Sequence, residues 1–475
     1  MTPLDPLGIS LSDPKMLLGF NHLDYVKTEV ADEQNSSQKE TCMNEKALSE
    51  ILISISQSVD TSSLNDFLLS MANFYELIKN RNSFPEVIVN IINESQFYSN
   101  IYTSLNHSLY RSPQFKEDKV VIELTLNILF ALSFISDDII KGFFETGIID
   151  YLFKFFLDLN FPFLPKLFSY FFGNVFTIEE IAIEYISPLL FEKIIHDFEN
   201  TDISVLAAQL YFVFILNKYE IPTEFHSNFL FKLRSILFLL SNYFDMIKTK
   251  EFETMEDKES FRKNCLKSIS YILEVIMTNL SSDSYRNEIL NSMIPSLLMD
   301  IFDHFPILVQ IRILEIFHQS LIAAHQLEDS NLFELMINKL DVDHLYLQFS
   351  SDNDRIIQHI LDIFRSIQEI DNSFILQLIP KAFVPRSIYI IEHMNFNTKV
   401  KLLNFISLSI LNDDEDTYSF HFLTEEIVES FLDFEDNPKV DNVIGVLTKL
   451  FQFSYDIPQL YDLLKPYVID ECVEE

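Results

Sequence analysis

A triplet of helices recurs along this chain at an interval of roughly 40 residues, and that recurrence restricts the fold more than any other feature. The clearest copy begins at Asp137. Asp137 to Glu145 reads as a short helix, and Gly147 allows a sharp turn. Ile148 to Phe156 reads as a second, apolar helix; after a proline-containing turn, Leu164 to Val175 reads as a third. Self-similarity of this kind predicts an all-α chain whose units bury their apolar faces against their neighbours. Such an α-solenoid offers a surface rather than a catalytic pocket. Only 6 Gly are present, which argues against sheets joined by tight turns.

Aligned on Gly147, the second helices are predicted to start near Ser95, Gly147, Ser187, Ser227, Met293, Asp341, Val384 and Leu423. Two of the intervals are long. One contains the polar stretch Tyr110 to Glu117, the other a charged insert over about 245–258, and insertions in repeat proteins collect in loops. Within Thr424 to Asp436, Ile427, Val428, Phe431 and Leu432 form one stripe with Glu425, Glu429 and Asp433 opposite, so that helix has one wet face. Pro85, Pro188, Pro295, Pro306, Pro385 and Pro438 fall mostly at inferred helix starts, where a missing N–H costs little.

The expected organisation is a flexible tail over 1–46, a helical repeat domain over 47–470 and an acidic end over 471–475. The tail is polar and broken by Pro3, Pro6 and Pro14, apart from the apolar patch Met16, Leu17, Leu18 and Phe20.

With 71 acidic against 34 basic residues the formal charge is −37, spread along the chain. That field repels nucleic acid and anionic membranes and favours a protein partner carrying a basic segment. No membrane insertion is expected from the greasiest stretch, Ile148 to Phe176. It is interrupted by Asp150, Lys154, Asp158, Lys166, Pro162 and Pro165, whereas a bilayer span needs about 20 nearly uncharged residues. Cys42, Cys265 and Cys472 form no metal or CxxC spacing, and no basic segment precedes an apolar leader. Both point to the cytoplasm or nucleus.

Enzyme signatures are missing. The six glycines form neither GxxxxGK[ST] nor GxGxxG, and GxSxG and HExxH are absent, so no phosphate loop, cofactor or metal is expected. His318 and His325 lie seven apart on one helix with no acidic residue four places after His318, a poor ligand set. Asp413-Asp414-Glu415-Asp416 fails the calcium-loop pattern, because Tyr418 occupies its glycine position and Thr424 its final carboxylate, and reads as a solvated loop.

Phe130-Ala-Leu-Ser-Phe-Ile-Ser136 is close to the Trp-Ala-Leu-Ser-Asn-Ile that ends armadillo third helices. Phe143-Phe-Glu-Thr-Gly147-Ile-Ile-Asp-Tyr-Leu152 is close to the armadillo entry into the second helix. The stretch Val120 to Val175 thus resembles an armadillo repeat pair. The resemblance implies a right-handed α-α superhelix of about eight repeats, armadillo-like in the broad sense that includes HEAT-type units. It places ladder positions of the groove at Phe130 and Phe134, Tyr170 and Asn174, then Gln209 and Val213, with Asn127 one turn before Phe130. Import receptors of this family carry Trp and Asn there, whereas this chain has no Trp.

The function expected is a non-enzymatic scaffold or adaptor that holds a partner along its concave face through Asn127, Phe130, Phe134, Tyr170 and Asn174. The alternative is a regulatory subunit or a karyopherin-like receptor for a basic cargo.

Overall fold

The computed structural model describes residues 45–467, apart from 62, 79–85, 111–115, 158–163, 200–201, 220, 250–251, 253, 328–333, 338–340 and 436. The flexible tail and acidic end expected at the termini therefore lie almost wholly outside the described residues. The structure is 83% helix, and among the described residues it has no strand. The chain forms two compact units, one up to Val275 and one from Ile276.

In the first unit, α1 (Glu45–Asp60) and α2 (Leu64–Ile78) precede α3 (Glu86–Glu94), α4 (Phe97–Tyr110) and α5 (Lys116–Ser133). The copy read most clearly from sequence becomes α6 (Asp137–Glu145), α7 (Ile148–Leu157) and α8 (Pro165–Val175). Next come α9 (Glu179–Tyr185), α10 (Pro188–Asp197) and α11 (Ile203–Leu216). Two long helices follow, α12 (Thr223–Thr249) and α13 (Met255–Leu280), and the division between units falls inside α13. Packing follows a period of three: α2 lies on α5, α5 on α8 and α8 on α11, while α1, α4, α7 and α10 make a second row.

Local chemistry sets these boundaries. Ser136 starts α6 by accepting the Asp138 N–H at 3.1 Å, and Asp137 and Asp138 place negative charge on the positive end of the helix dipole. Asp202 caps α11 from Ser204 N at 2.8 Å, and Pro165 and Pro188 open α8 and α10. Between the rows lies an aromatic core. The Phe156 ring, 4% exposed, has centroids of Phe172 at 5.1 Å and Phe212 at 5.6 Å, distances suited to tilted and edge-on ring pairs.

In the second unit, α14 (Asp283–Asn291), α15 (Ile294–Asp300) and α16 (Ile307–Gln326) lead to α17 (Val342–Phe349) and α18 (Asp354–Gln368). They are followed by α19 (Ile375–Leu378), α20 (Phe383–His393), α21 (Phe396–Leu411), α22 (Glu425–Asp433), α23 (Val443–Phe451) and α24 (Pro458–Leu464). Here α16, α18, α21 and α23 pack in succession. Among the described residues α16 alone is long and apolar enough to cross a bilayer by length and composition. It carries Arg312 and Glu315, and 56% of its apolar window is buried inside the protein.

Most second helices begin within two residues of the starts read from sequence, at Phe97, Ile148, Pro188, Ile294, Val342, Phe383 and Glu425. The exception is α12, which begins at Thr223 rather than Ser227. Gly147 has φ +75°, and the same left-handed turn recurs before α15 at Met293 (φ 57°) and before α20 at Ala382 (φ 63°). One backbone solution is therefore kept where the glycine is not, at a steric cost of about 1–2 kcal/mol for each side chain.

Two local expectations are corrected. The charged stretch 245–258 is no simple loop, because α12 runs to Thr249 and α13 starts at Met255, so the added length is mainly helix. Asp413 is not a solvated loop residue. It is 1% exposed, and its carboxylate accepts the N–H groups of Thr417 (2.8 Å), Tyr418 (2.8 Å) and Ser419 (2.7 Å) and the Ser419 hydroxyl (2.7 Å). Burial alone would raise its pKa, but these donors outweigh it and hold the carboxyl below the usual range.

Candidate partner-binding face

The row α5–α8–α11 and the packed part of α13 bring together the residues for which the sequence offered a role. Phe130 in the last turn of α5 and Phe134 just past its end have ring centroids 4.7 Å apart in an edge-to-face pair. Tyr170 of α8 follows at 5.5 Å from Phe130, Tyr211 of α11 at 5.8 Å from Tyr170, and Tyr271 of α13 at 5.6 Å from Tyr211. Phe214 closes the array 5.6 Å from Tyr271. Phe134, Phe130, Tyr170 and Phe214 are half-buried, whereas Tyr211 and Tyr271 are each 3% exposed. The result is an aromatic ladder across four helices, with its accessible rings at both ends and at Tyr170.

Gly173 is what lets the ladder close. A Cβ there would stand 2.5 Å from Tyr211 Cε1, so the phenol ring lies directly on the α8 backbone. Burial pushes the Tyr170 hydroxyl up to about 12, and burial with the neighbouring Tyr170 raises Tyr211 further. Both phenols are neutral hydrogen-bonding groups at any physiological pH.

Asn174 does not serve as the sequence suggested. It is 3% exposed, its amide donates to Ser133 Oγ at 2.8 Å, and its oxygen accepts from Tyr211 Oη at 2.7 Å. That side chain ties three successive helices together and presents no free group to a partner. Asn127 is half-buried, and its Nδ2 donates to the Glu123 carbonyl at 2.8 Å, within its own helix. Gln209 and Val213 are buried, and the ladder passes through Tyr211 instead. Gln209 and Tyr211, two positions apart and about 200° around the helix, are both buried, at 4% and 3% exposure, so neither offers an open surface. Tyr211 and Phe214 were missed because α11 is apolar on every side and gives no phase.

The matching row of the second unit has different chemistry. Lys401 of α21 pairs with Asp362 of α18, His359 Nε2 stands 3.5 Å from Glu315 Oε1, and His318 Nε2 shares a 2.9 Å hydrogen bond with Ser366 Oγ. Burial holds both imidazoles below the usual histidine range despite the nearby Asp362 carboxylate. Asn404 donates to the Lys439 carbonyl and accepts from Asp441 N, both at 2.9 Å. This is the two-point grip on a backbone expected of a groove asparagine, spent here on the chain itself. Among the described residues no group of three or more His, Cys, Asp or Glu is arranged to hold a metal ion.

No family model matches the chain, and no curated protein does. Among solved structures it is similar to an engineered protein from the Northeast Structural Genomics Consortium. That match has a TM-score of 0.53 at 10% identity and covers 89% of this chain and 92% of the other. A second engineered protein from the same source aligns at a TM-score of 0.37 and 10% identity, over 56% of this chain and 98% of its own. At such identity the first likeness concerns the fold alone, an all-helical one.

Proposed function

We propose that the chain is a non-enzymatic scaffold that holds a protein partner on the row of third helices in its first unit. We further propose that its helices form a right-handed, armadillo-like superhelix of about eight repeats. The observation that supports the binding reading is the run of half-buried rings Phe134, Phe130 and Tyr170 on neighbouring helices. Aromatic rings supply large contact area at low entropic cost and dominate the energetics of many interfaces. The equivalent row of the second unit has its charges paired with one another, which leaves the aromatic segment as the adhesive part. The test is affinity capture from the native cell with the intact chain and with Phe130→Ala and Tyr170→Ala. Loss of one partner in both variants, with unchanged melting, is the expected result. Capture unchanged in both, or contacts mapped by cross-linking to the wet face of α22, would sink the reading.

A further inference from the structure

Two half-buried imidazoles distinguish the inner row of the second unit from that of the first. No histidine occurs in α5, α8, α11 or α13, and the phenols of their ladder do not ionise at physiological pH. In the second unit, Glu315 and His318 lie one turn apart on α16, opposite His359, Asp362 and Ser366 of α18. His359 Nε2 meets Glu315 Oε1 at 3.5 Å, and His318 Nε2 meets Ser366 Oγ at 2.9 Å, so each ring spans the contact between these two helices. His325, also on α16, is exposed.

The charges facing the two rings are already matched. His318 is met by Asp362 and Glu369 of α18 and by Lys401 of α21. His359 is met by Glu315 of α16, by Asp362 and Arg355 of its own helix, and by Lys401. Each of these carboxylates has a cation: Glu315 has Arg312 at 2.6 Å, Asp362 has Lys401, and Glu369 has Arg365 at 3.1 Å. A proton arriving on either ring therefore adds a cation to a partly desolvated seam whose anions are occupied. Burial is the largest influence on both imidazoles and holds them below the usual histidine range. Each ring thus binds its proton more weakly in the folded chain than in the unfolded one. The stability this contributes is present above the unfolded pKa, near 6.5, and is lost as pH falls through the folded value. We propose that the seam between α16 and α18 is an acid-sensitive latch, in which charging of His318 and His359 loosens the second unit while the aromatic row of the first holds.

The experiment follows hydrogen exchange of the full chain at about pH 7.5 and 5.5, a window that charges imidazoles and leaves carboxylates ionised. Rates are corrected for the intrinsic pH dependence of exchange, and the native chain is set beside one carrying both His318→Gln and His359→Gln. On acidification, amides of α16 and α18 in the native chain should lose protection about tenfold or more relative to those of α5 and α8. In the double variant the two sets should keep their ratio. No selective loss in the native chain, or an equal loss in the variant, overturns the inference. Should the variant fail to fold, NMR titration of the imidazoles in the native chain decides. Midpoints below about 6.5 are expected, whereas midpoints above it would mean that acid tightens the seam, and the latch is then excluded.

Discussion

Tyr211 donates its phenolic hydrogen to the side-chain oxygen of Asn174 at 2.7 Å, joining two helices across 37 residues of sequence. Asn174 in turn donates to Ser133 at 2.8 Å, so one amide fixes the spacing of α5, α8 and α11. Asn174→Ala would leave the buried Tyr211 hydroxyl without its acceptor and remove the amide donor from Ser133, whose own hydroxyl still donates to the Phe130 carbonyl at 2.7 Å. It should cost about 2–4 kcal/mol, the range for breaking a small buried network. Urea midpoints should fall in this variant, whereas Asn127→Ala, whose amide bonds only within its own helix, should leave them almost unmoved. Equal midpoints would mean that the Ser133–Asn174–Tyr211 chain is not structural.

The same residue shows how far sequence carries. Period and apolar phase locate helices, because each helix must bury one stripe, and so the starts at Ile148, Pro188 and Ile294 were legible. Period does not say which polar side chain on the inner row meets solvent and which meets the next helix. Asn174 and Asn404 have the same chemistry, yet one is locked in the core and the other grips a loop. Helices such as α11, buried all round, give no phase at all, which is why Tyr211 was invisible while Tyr170 was not.

Asp413 makes a pH prediction with a definite sign. Its folded pKa lies below the ordinary carboxylate value, so its stabilisation is present above the unfolded pKa, near 4, and is lost as pH falls through the folded pKa. Asp413→Asn replaces an acceptor of four hydrogen bonds by a group that can accept only part of them. It should cost about 2–4 kcal/mol at pH 7. The gap between native and variant chains in urea midpoint should narrow below about pH 4. A gap that widens on acidification would contradict the assignment.

The left-handed turns before second helices predict opposite effects for opposite substitutions. At Gly147 an added Cβ meets nothing nearer than Tyr102 Cε2 at 3.9 Å, so Gly147→Ala carries the conformational cost alone, about 1 kcal/mol. Ala382 adopts φ 63° with its methyl exposed, so Ala382→Gly should relieve about the same strain and raise the midpoint. Calorimetry of the two variants beside the native chain checks both signs. If Ala382→Gly destabilises, its turn is held by something other than backbone geometry.

Facing within the helices is tested by Phe156 and Glu429. Phe156 is 4% exposed and wedged among Phe168, Phe172 and Phe212, with the Lys193 ammonium 5.5 Å from its ring centroid. Phe156→Ala would empty a ring-sized volume at the meeting of α7, α8 and α11. Helices packed on both sides in their row cannot collapse into that space, so the cost should reach roughly 3–5 kcal/mol. It also strips the Lys193 ammonium of a ring partner while leaving its ion pair with Asp197 at 2.5 Å, so packing loss dominates. Glu429 lies exposed on α22, and its truncation should move stability by less than about 0.5 kcal/mol. Chemical denaturation of both variants decides the matter: comparable midpoint shifts would show that α7 does not present Phe156 to the core.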